Sequence, residues 1–231
     1  PAMKLSKIGS VALVWMVILG MSSASANVFG KDDRVEMNGK GYPWSAIGRI
    51  DLDNNWCTAT LIGIDLILTA AHCVLDETGR QRPDLEFMPN YRDGEYKKKA
   101  KLTEIWVGSH QPLVDVEQDW AIARISKPLG RRFGTIAVAA SDASPSLENH
   151  SVTLAGYSMD FWYGNTAGVQ DNCAITGVLG ARLMHDCDSR PGASGAALFV
   201  RTGKNGGLRV VAVNSAERFE DVTTRRLPRP G

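Results

Sequence analysis

Leu68-Thr69-Ala70-Ala71-His72-Cys73 decides the reading of this chain. An apolar run with the look of a strand stops at a histidine set directly beside a cysteine. The residues after it, Ala70–Asp76, have room for one or two helical turns. The chain keeps the same texture on either side. Ser45–Leu52, Thr58–Ile64, Leu66–Thr69, Leu102–Val107 and Trp120–Ile125 read as short strands, and so do Ser151–Gly156, Ala174–Leu179, Ala196–Val200 and Leu208–Val213. Turn chemistry at Asp53-Asn54-Asn55, Pro89-Asn90, Asp93-Gly94, Lys127-Pro128 and Asn205-Gly206-Gly207 separates them. Many short strands between turn signals predict an all-β fold, a barrel or a sandwich. Asp84 to Lys101 reads as a polar connection, with Lys97-Lys98-Lys99 as a solvated face.

Composition narrows the function classes. The chain has 231 residues, 44% hydrophobic and 22% charged, an ordinary globular mixture. Lys+Arg is 26 against Asp+Glu 25, so no charge excess points to nucleic acid. The N-terminus reads as a targeting segment. Met3-Lys4-Leu5-Ser6-Lys7 is basic, Ile8–Met21 is apolar, and Ala24-Ser25-Ala26 is a small-x-small cleavage site. The alternative, a membrane anchor, wants about 20 apolar residues and the run is shorter. Residues 1–26 are therefore expected to be a signal peptide and 27–231 the mature domain, secreted or periplasmic, with no membrane contact once processed.

Secretion changes the meaning of the four cysteines, since an oxidising compartment favours disulfides. Four cysteines allow three pairings. Two local bridges, Cys57–Cys73 and Cys173–Cys187, are favoured. Each closes a loop near the 15 residues for which chain entropy gives about 3 kcal/mol. His185-Asp186-Cys187 holds two metal-ligand types but lacks a C-x2-C partner, so no metal site is expected.

Three segments carry chemistry. The first is the hexapeptide with His72. In the second, Gln118-Asp119-Trp120-Ala121-Ile122, an acid opens an apolar strand. The third is Asp188-Ser189-Arg190-Pro191-Gly192-Ala193-Ser194-Gly195, with a serine between glycines. A serine hydroxyl is a poor nucleophile until a base takes its proton, and the base needs a buried acid to hold one tautomer. Flanking glycines let the backbone turn sharply and bring N–H donors to a bound carbonyl. The order His, Asp, Ser supplies what acyl transfer needs. Asp115 is a weaker candidate for the acid, because no Trp-Ala-Ile strand follows it. His110, His150 and His185 lie in polar or turn-like stretches and read as surface or loop residues.

With these residues in view, the chain resembles a trypsin-like (chymotrypsin-fold) serine peptidase of the bacterial secreted type, close to the glutamyl endopeptidase branch. Thr69-Ala70-Ala71-His72-Cys73 matches the catalytic-histidine motif at all five positions. Cys57 matches the cysteine bridging the histidine loop. Asp119-Trp120-Ala121 resembles the strand-opening aspartate and Gly192-Ala193-Ser194-Gly195 the nucleophile loop. Tyr42-Pro43-Trp44-Ser45-Ala46-Ile47-Gly48 resembles the first barrel strand, and Asp32-Asp33-Arg34 and Ala155-Gly156-Tyr157 extend the likeness, which spans roughly residues 31–217.

The resemblance implies two antiparallel six-stranded β-barrels with the active site in the cleft between them. The first barrel is expected at about 40–127 and the second at about 146–217, with a boundary near Lys127–Ser146 and a polar tail at about 221–231. The second barrel is either incomplete at its C-terminal end or closed by Arg218–Val222. The implied roles are Ser194 as nucleophile, His72 as general base and then acid, and Asp119 as the orienting carboxylate. The oxyanion hole would be the N–H groups of Gly192 and Ser194. No cofactor is implied, the partner is a peptide or protein substrate, and a monomer is expected. Ala193 stands where animal trypsins carry the aspartate that pairs with the new N-terminus, so that activation route is not expected.

Substrate choice divides two ways. Asp188, six residues before Ser194, occupies the place of the acid on the floor of the trypsin pocket. A carboxylate there favours Arg or Lys, with Ser189, Asn214, Ser215 and Ala216 lining the pocket. The glutamyl endopeptidase branch, by contrast, holds a glutamate with a histidine on the substrate-lining strand, and Val213-Asn214-Ser215-Ala216 offers none. Basic preference is the expectation and Glu preference the alternative. A non-catalytic homologue that binds peptide in the same cleft is a further alternative. An esterase is weaker, because Gly192-Ala193-Ser194-Gly195-Ala196 lacks the last glycine of the G-x-S-x-G elbow.

Overall fold

The computed structural model describes residues 28–37, 41–139, 151–202 and 207–215. The expected signal peptide, His150, Ala216, the Arg218–Val222 strand and the polar tail lie outside the described residues. Within them the fold is all-β, as the spacing of turns predicts. Its strands are β1 (Val35–Glu36), β2 (Ile47–Asp51), β3 (Trp56–Leu61), β4 (Leu66–Thr69), β5 (Glu86–Pro89) and β6 (Ala100–Val107). They continue with β7 (Ala121–Ile125), β8 (Ser151–Gly156), β9 (Gly168–Leu179), β10 (Arg182–His185), β11 (Ala197–Thr202) and β12 (Gly207–Val213). Two single-turn helices, α1 (Ala71–Val74) and α2 (Gly130–Phe133), interrupt them.

The first six strands after β1 close into an antiparallel barrel in the order β2-β3-β4-β7-β6-β5. Alternation along each strand points one face inward. Ile47, Ile50, Leu61, Ile67 and Phe87 are fully buried there. Closure depends on β5, which joins β2 through Ile50↔Phe87 and β6 through Phe87↔Ala100. The sequence places that stretch in a polar connection. Its apolar content is only Phe87, Met88 and Pro89, too short to break the polar surroundings, yet those residues seal the barrel.

The second sheet has six strands in the order β1-β9-β8-β11-β12, with β10 hairpinned onto β9. It stays open among the described residues, a half-barrel incomplete on its C-terminal side. One edge strand comes from the N-terminus: Val35 pairs Val169 and Glu36 pairs Gly168. Two residues carry too little periodicity to be read as a strand; the partner on β9 makes them one. The connection between the sheets starts at α2 and runs beside the barrel, where the Ile136 N–H bonds Leu61 O (2.9 Å). It then lies against β12 in a parallel bridge between Val138 and Val210.

Both local disulfides are present, with Cα–Cα distances of 6.0 Å for Cys57–Cys73 and 5.0 Å for Cys173–Cys187. Two disulfides mark a protein of the extracellular type, made for an oxidising compartment. Among the described residues no helix is long and apolar enough to cross a membrane.

Candidate active site

The site is assembled where the closed barrel meets the second sheet. β4 ends at Thr69, and α1 turns the chain so that His72 faces outward while Ala71, Cys73 and Val74 are buried. The Cys57–Cys73 disulfide ties this turn to β3. Across the barrel, β7 pairs with β4 through Thr69↔Ala121, which brings Asp119 to the same end. Asp119 is 4% exposed. Its Oδ1 accepts the His72 backbone N–H at 2.9 Å and its Oδ2 faces His72 Nδ1 at 2.7 Å. The Ser215 hydroxyl also donates to Asp119 Oδ2. A buried carboxylate persists as an anion when such donors satisfy it. It requires a proton on Nδ1, which leaves Nε2 free to act as a base. Asp115 is exposed, so Asp119 is the acid that holds the imidazole.

Ser194 stands on the loop before β11 and shares a cavity of about 610 Å³ with His72 and Gly192. Among the described residues no hydrogen bond joins its hydroxyl to the His72 ring. Such bonds are often long without substrate and tighten in the complex. Gly192 (φ +97°) and Gly195 (φ +82°) flank it in backbone conformations that L side chains rarely adopt. A Cβ on Gly192 would strike Tyr157 O and the Trp56 ring, and one on Gly195 would strike the backbone of β3.

The two N–H groups expected to meet an oxyanion belong to peptides whose carbonyls are held. Pro191 O accepts from Met159 N–H (2.8 Å), which fixes the peptide that carries Gly192 N–H. Ala193 O accepts from Ala196 N–H (2.9 Å) and from Asn214 Nδ2–H (3.2 Å), which fixes the peptide of Ser194 N–H. Neither Gly192 N–H nor Ser194 N–H has an acceptor among the described residues.

Thr58, which nothing in the sequence singles out, pins the nucleophile loop to the first barrel. Its N–H bonds Ser194 O (2.8 Å), its hydroxyl donates to Gly192 O (2.9 Å) and accepts from Tyr157 N–H (3.0 Å). Only the spatial neighbours of Thr58 reveal the role.

Four residues expected to meet substrate do not line this cavity. Asp188 is 2% exposed and outside the cavity. Its Oδ1 accepts Phe29 N–H (2.7 Å) and its Oδ2 accepts Asp33 N–H (3.2 Å), so the carboxylate docks the N-terminal segment. This departs from the expected cation-binding floor, because backbone donors already compensate the buried charge. Ser189 is likewise buried outside the cavity. Ser215 spends its hydroxyl on Asp119. Asn214 is buried and bonds Ala193 O on one side and His185 on the other. His185, expected on a loop, sits in β10, and its ring meets Asn214 Oδ1 and the Cys187 N–H. Among the other histidines, His110 lines the cavity at its rim with its Nδ1 2.9 Å from Gly79 O.

The only metal-ligand cluster among the described residues joins Cys57, His72 and Cys73, with ligand atoms within 4.8 Å of one another. Both sulfurs are bonded to each other, so neither offers a thiolate.

Fold and site together define a chymotrypsin-like serine hydrolase domain. Residues 57–212 match the trypsin-like peptidase domain family, and the chain belongs to it. Serine protease 23 of Rattus norvegicus is 29% identical over 213 residues, covering 80% of this chain and 54% of its own length. Glutamyl endopeptidase of Bacillus licheniformis is 28% identical over 180 residues, covering 75% of this chain and 54% of its own length. The chain thus spans about half the length of the curated relatives it matches. Among solved structures, a Glu endopeptidase in complex with MPD superposes with a TM-score of 0.65 at 20% identity, covering 80% of this chain and 94% of that one. Protease Anisep from Arthrobacter nicotinovorans gives 0.60 at 18% identity, covering 76% and 85%. Both likenesses support the fold.

Proposed function

We propose that the protein is a serine endopeptidase that hydrolyses peptide bonds through an acyl-enzyme, with a preference for acidic side chains at the cleaved bond. The observation that carries the first half is the His72–Asp119 pair opening into the same cavity as Ser194. Ser194 Oγ attacks the scissile carbonyl as His72 Nε2 takes its proton, and Asp119 stabilises the imidazolium. The developing oxyanion is met by Gly192 and Ser194 N–H. His72 returns the proton to the leaving amine, and water repeats the cycle on the ester.

The acidic preference replaces the basic one on two grounds. Asp188 is already compensated by backbone donors, so a bound Arg or Lys would gain little from it. Within the cavity lining, Asp76 is committed to Thr78 and Arg80, and the cationic Arg82 lines the same cavity. A substrate carboxylate would meet an opposite charge there. The likeness to a glutamyl endopeptidase points the same way.

Turnover of peptides with Glu, Asp, Arg, Lys or Phe before the cleaved bond tests both halves. Glu is expected to lead, and an Arg-first ranking would overturn the specificity. Ser194→Ala and His72→Ala are each expected to lower kcat by about 10^6, the scale seen when such a unit is broken. Near-wild-type hydrolysis by Ser194→Ala would overturn the mechanism.

A further inference from the structure

The half-buried histidine at the end of β10 has no part in the steps above. We propose that His185 and Asn214 are positioning residues that aim the Ser194 N–H at the oxyanion. This rests on the acyl-transfer reading of the same site.

The hydrogen bonds run in one direction only, because both ends are backbone groups of fixed role. Ala193 O can only accept, so Asn214 presents its Nδ2–H to it at 3.2 Å. Asn214 Oδ1 then faces His185 Nε2 at 3.2 Å and can only accept, so Nε2 carries the ring proton. On the other side of the ring, Cys187 N–H can only donate, and it donates to Nδ1 at 3.2 Å. Both ends demand the same neutral tautomer.

Ala193 O and Ser194 N–H belong to one planar peptide unit. Fixing the oxygen therefore fixes the direction of the N–H on the opposite side. The Asn214 backbone is held separately, with its N–H on Ala196 O and its carbonyl on Gly195 N–H, both 2.7 Å. The side chain of Asn214 is left as the adjustable part, and His185 sets it. Cys187 is anchored in turn to β9 by the Cys173 disulfide. Desolvation holds His185 below the ordinary histidine value, which keeps the ring neutral; the Asn214 bond and the charge of Asp186 act the other way. Asp186 is itself engaged, accepting Ala174 N–H at 2.6 Å. Opposite His185 on β9 stands the apolar Ile175.

Neither side chain lines the cavity, so their loss is expected to act on the transition state and not on binding. Steady-state kinetics of His185→Leu, Asn214→Ala and the double variant test this. Each single change is expected to lower kcat about tenfold, less than the 10²–10³ of losing a donor outright. KM should stay within about twofold, and the double variant should fall no further than the worse single one. Affinity for a peptide aldehyde, which forms a tetrahedral adduct on Ser194, should drop by the same factor as kcat. His185→Gln keeps a donor for Asn214 Oδ1 and should recover part of the rate. A raised KM with unchanged kcat, or additive losses, would overturn the relay.

Nitrogen-15 spectra of the imidazole rings in Ser194→Ala protein supply a readout free of activity. His185 is expected as the Nε2–H tautomer, perturbed by Asn214→Ala; an Nδ1–H tautomer overturns the relay whatever the activity. Between the lowered value and the ordinary one of about 6.5, the unfolded chain binds a proton that the folded chain does not. Stability should therefore fall as pH falls through that window, and His185→Leu should lack this part of the fall. A wild-type protein with the expected tautomer and no turnover of any peptide would sink the acyl-transfer reading, and the catalytic meaning of the relay with it.

Discussion

Asp119 receives a backbone N–H, an imidazole N–H and a hydroxyl on two oxygens, and each donor constrains a different motion. The first fixes the start of α1, the second the ring plane, the third the carboxylate itself. Asp119→Asn keeps the shape but offers an amide N–H2 where an acceptor is needed. The imidazole would be driven to the wrong tautomer, with its acceptor turned from Ser194. A fall in kcat of about 10^4 is expected, with little change in melting temperature. Burst titration with an acylating ester, set beside thermal melts, checks it: parallel loss of stability and rate would mean the residue is only structural.

Among elements, the segment from Phe29 to Arg34 carries more than its length suggests. Phe29 and Asp33 meet Asp188, and Arg34 pairs with Asp160, which also pairs with Arg190. Both ends of Asp188-Ser189-Arg190 are therefore clamped by the same strap. Phe29→Pro removes one N–H donor to a buried carboxylate, while Phe29→Ala keeps it. An unmet group of this kind costs about 1–3 kcal/mol. Phe29→Pro is expected to lower the urea midpoint and to slow turnover of Glu, Phe and Arg peptides alike. Phe29→Ala should leave both near wild type; a selective loss on Arg peptides would return Asp188 to a pocket role.

The strap also shows where the sequence falls silent. The triad motifs are legible because each is contiguous and sits at a strand end, as with His72 just after Leu66–Thr69 and Asp119 just before Ala121–Ile125. The partners of Asp188 are not, because Phe29 lies 159 positions away and contributes a backbone group that has no sequence signature. For the same reason Thr58 reads as an ordinary strand residue, and Asn214 reads as a pocket residue and not as a holder of the nucleophile loop. His185 sits among Arg182, Leu183 and Met184, a strand without clean alternation, and only the hairpin onto β9 turns its ring inward.

In the whole molecule, catalysis needs two sheets to hold one geometry, and Thr58 is where they are stitched. Its hydroxyl is shared between Gly192 and Tyr157, both in loops next to strands of the second sheet, while its backbone stays in β3. Thr58→Val preserves volume and strand preference and deletes only that hydroxyl. Two buried polar groups lose a partner, at about 1–3 kcal/mol each before relaxation. Urea unfolding is expected to shift to lower midpoint, with kcat falling more than KM changes. Unaltered stability would show that the sheets are held by apolar contact alone.

The connection that leaves α2 does a second job when it reaches Val210. Ala139 N–H bonds Val210 O at 2.8 Å and Val210 N–H bonds Ala137 O at 3.0 Å. Among the described residues β12 ends an open sheet, and an unmatched strand edge invites any extended chain to add to it. By laying its own linker along Val210, the chain occupies its adhesive border with a segment that is already tethered. Under the proposed function, extended substrate would thereby be turned away from the sheet's margin and left to the cleft, to be cut and not collected.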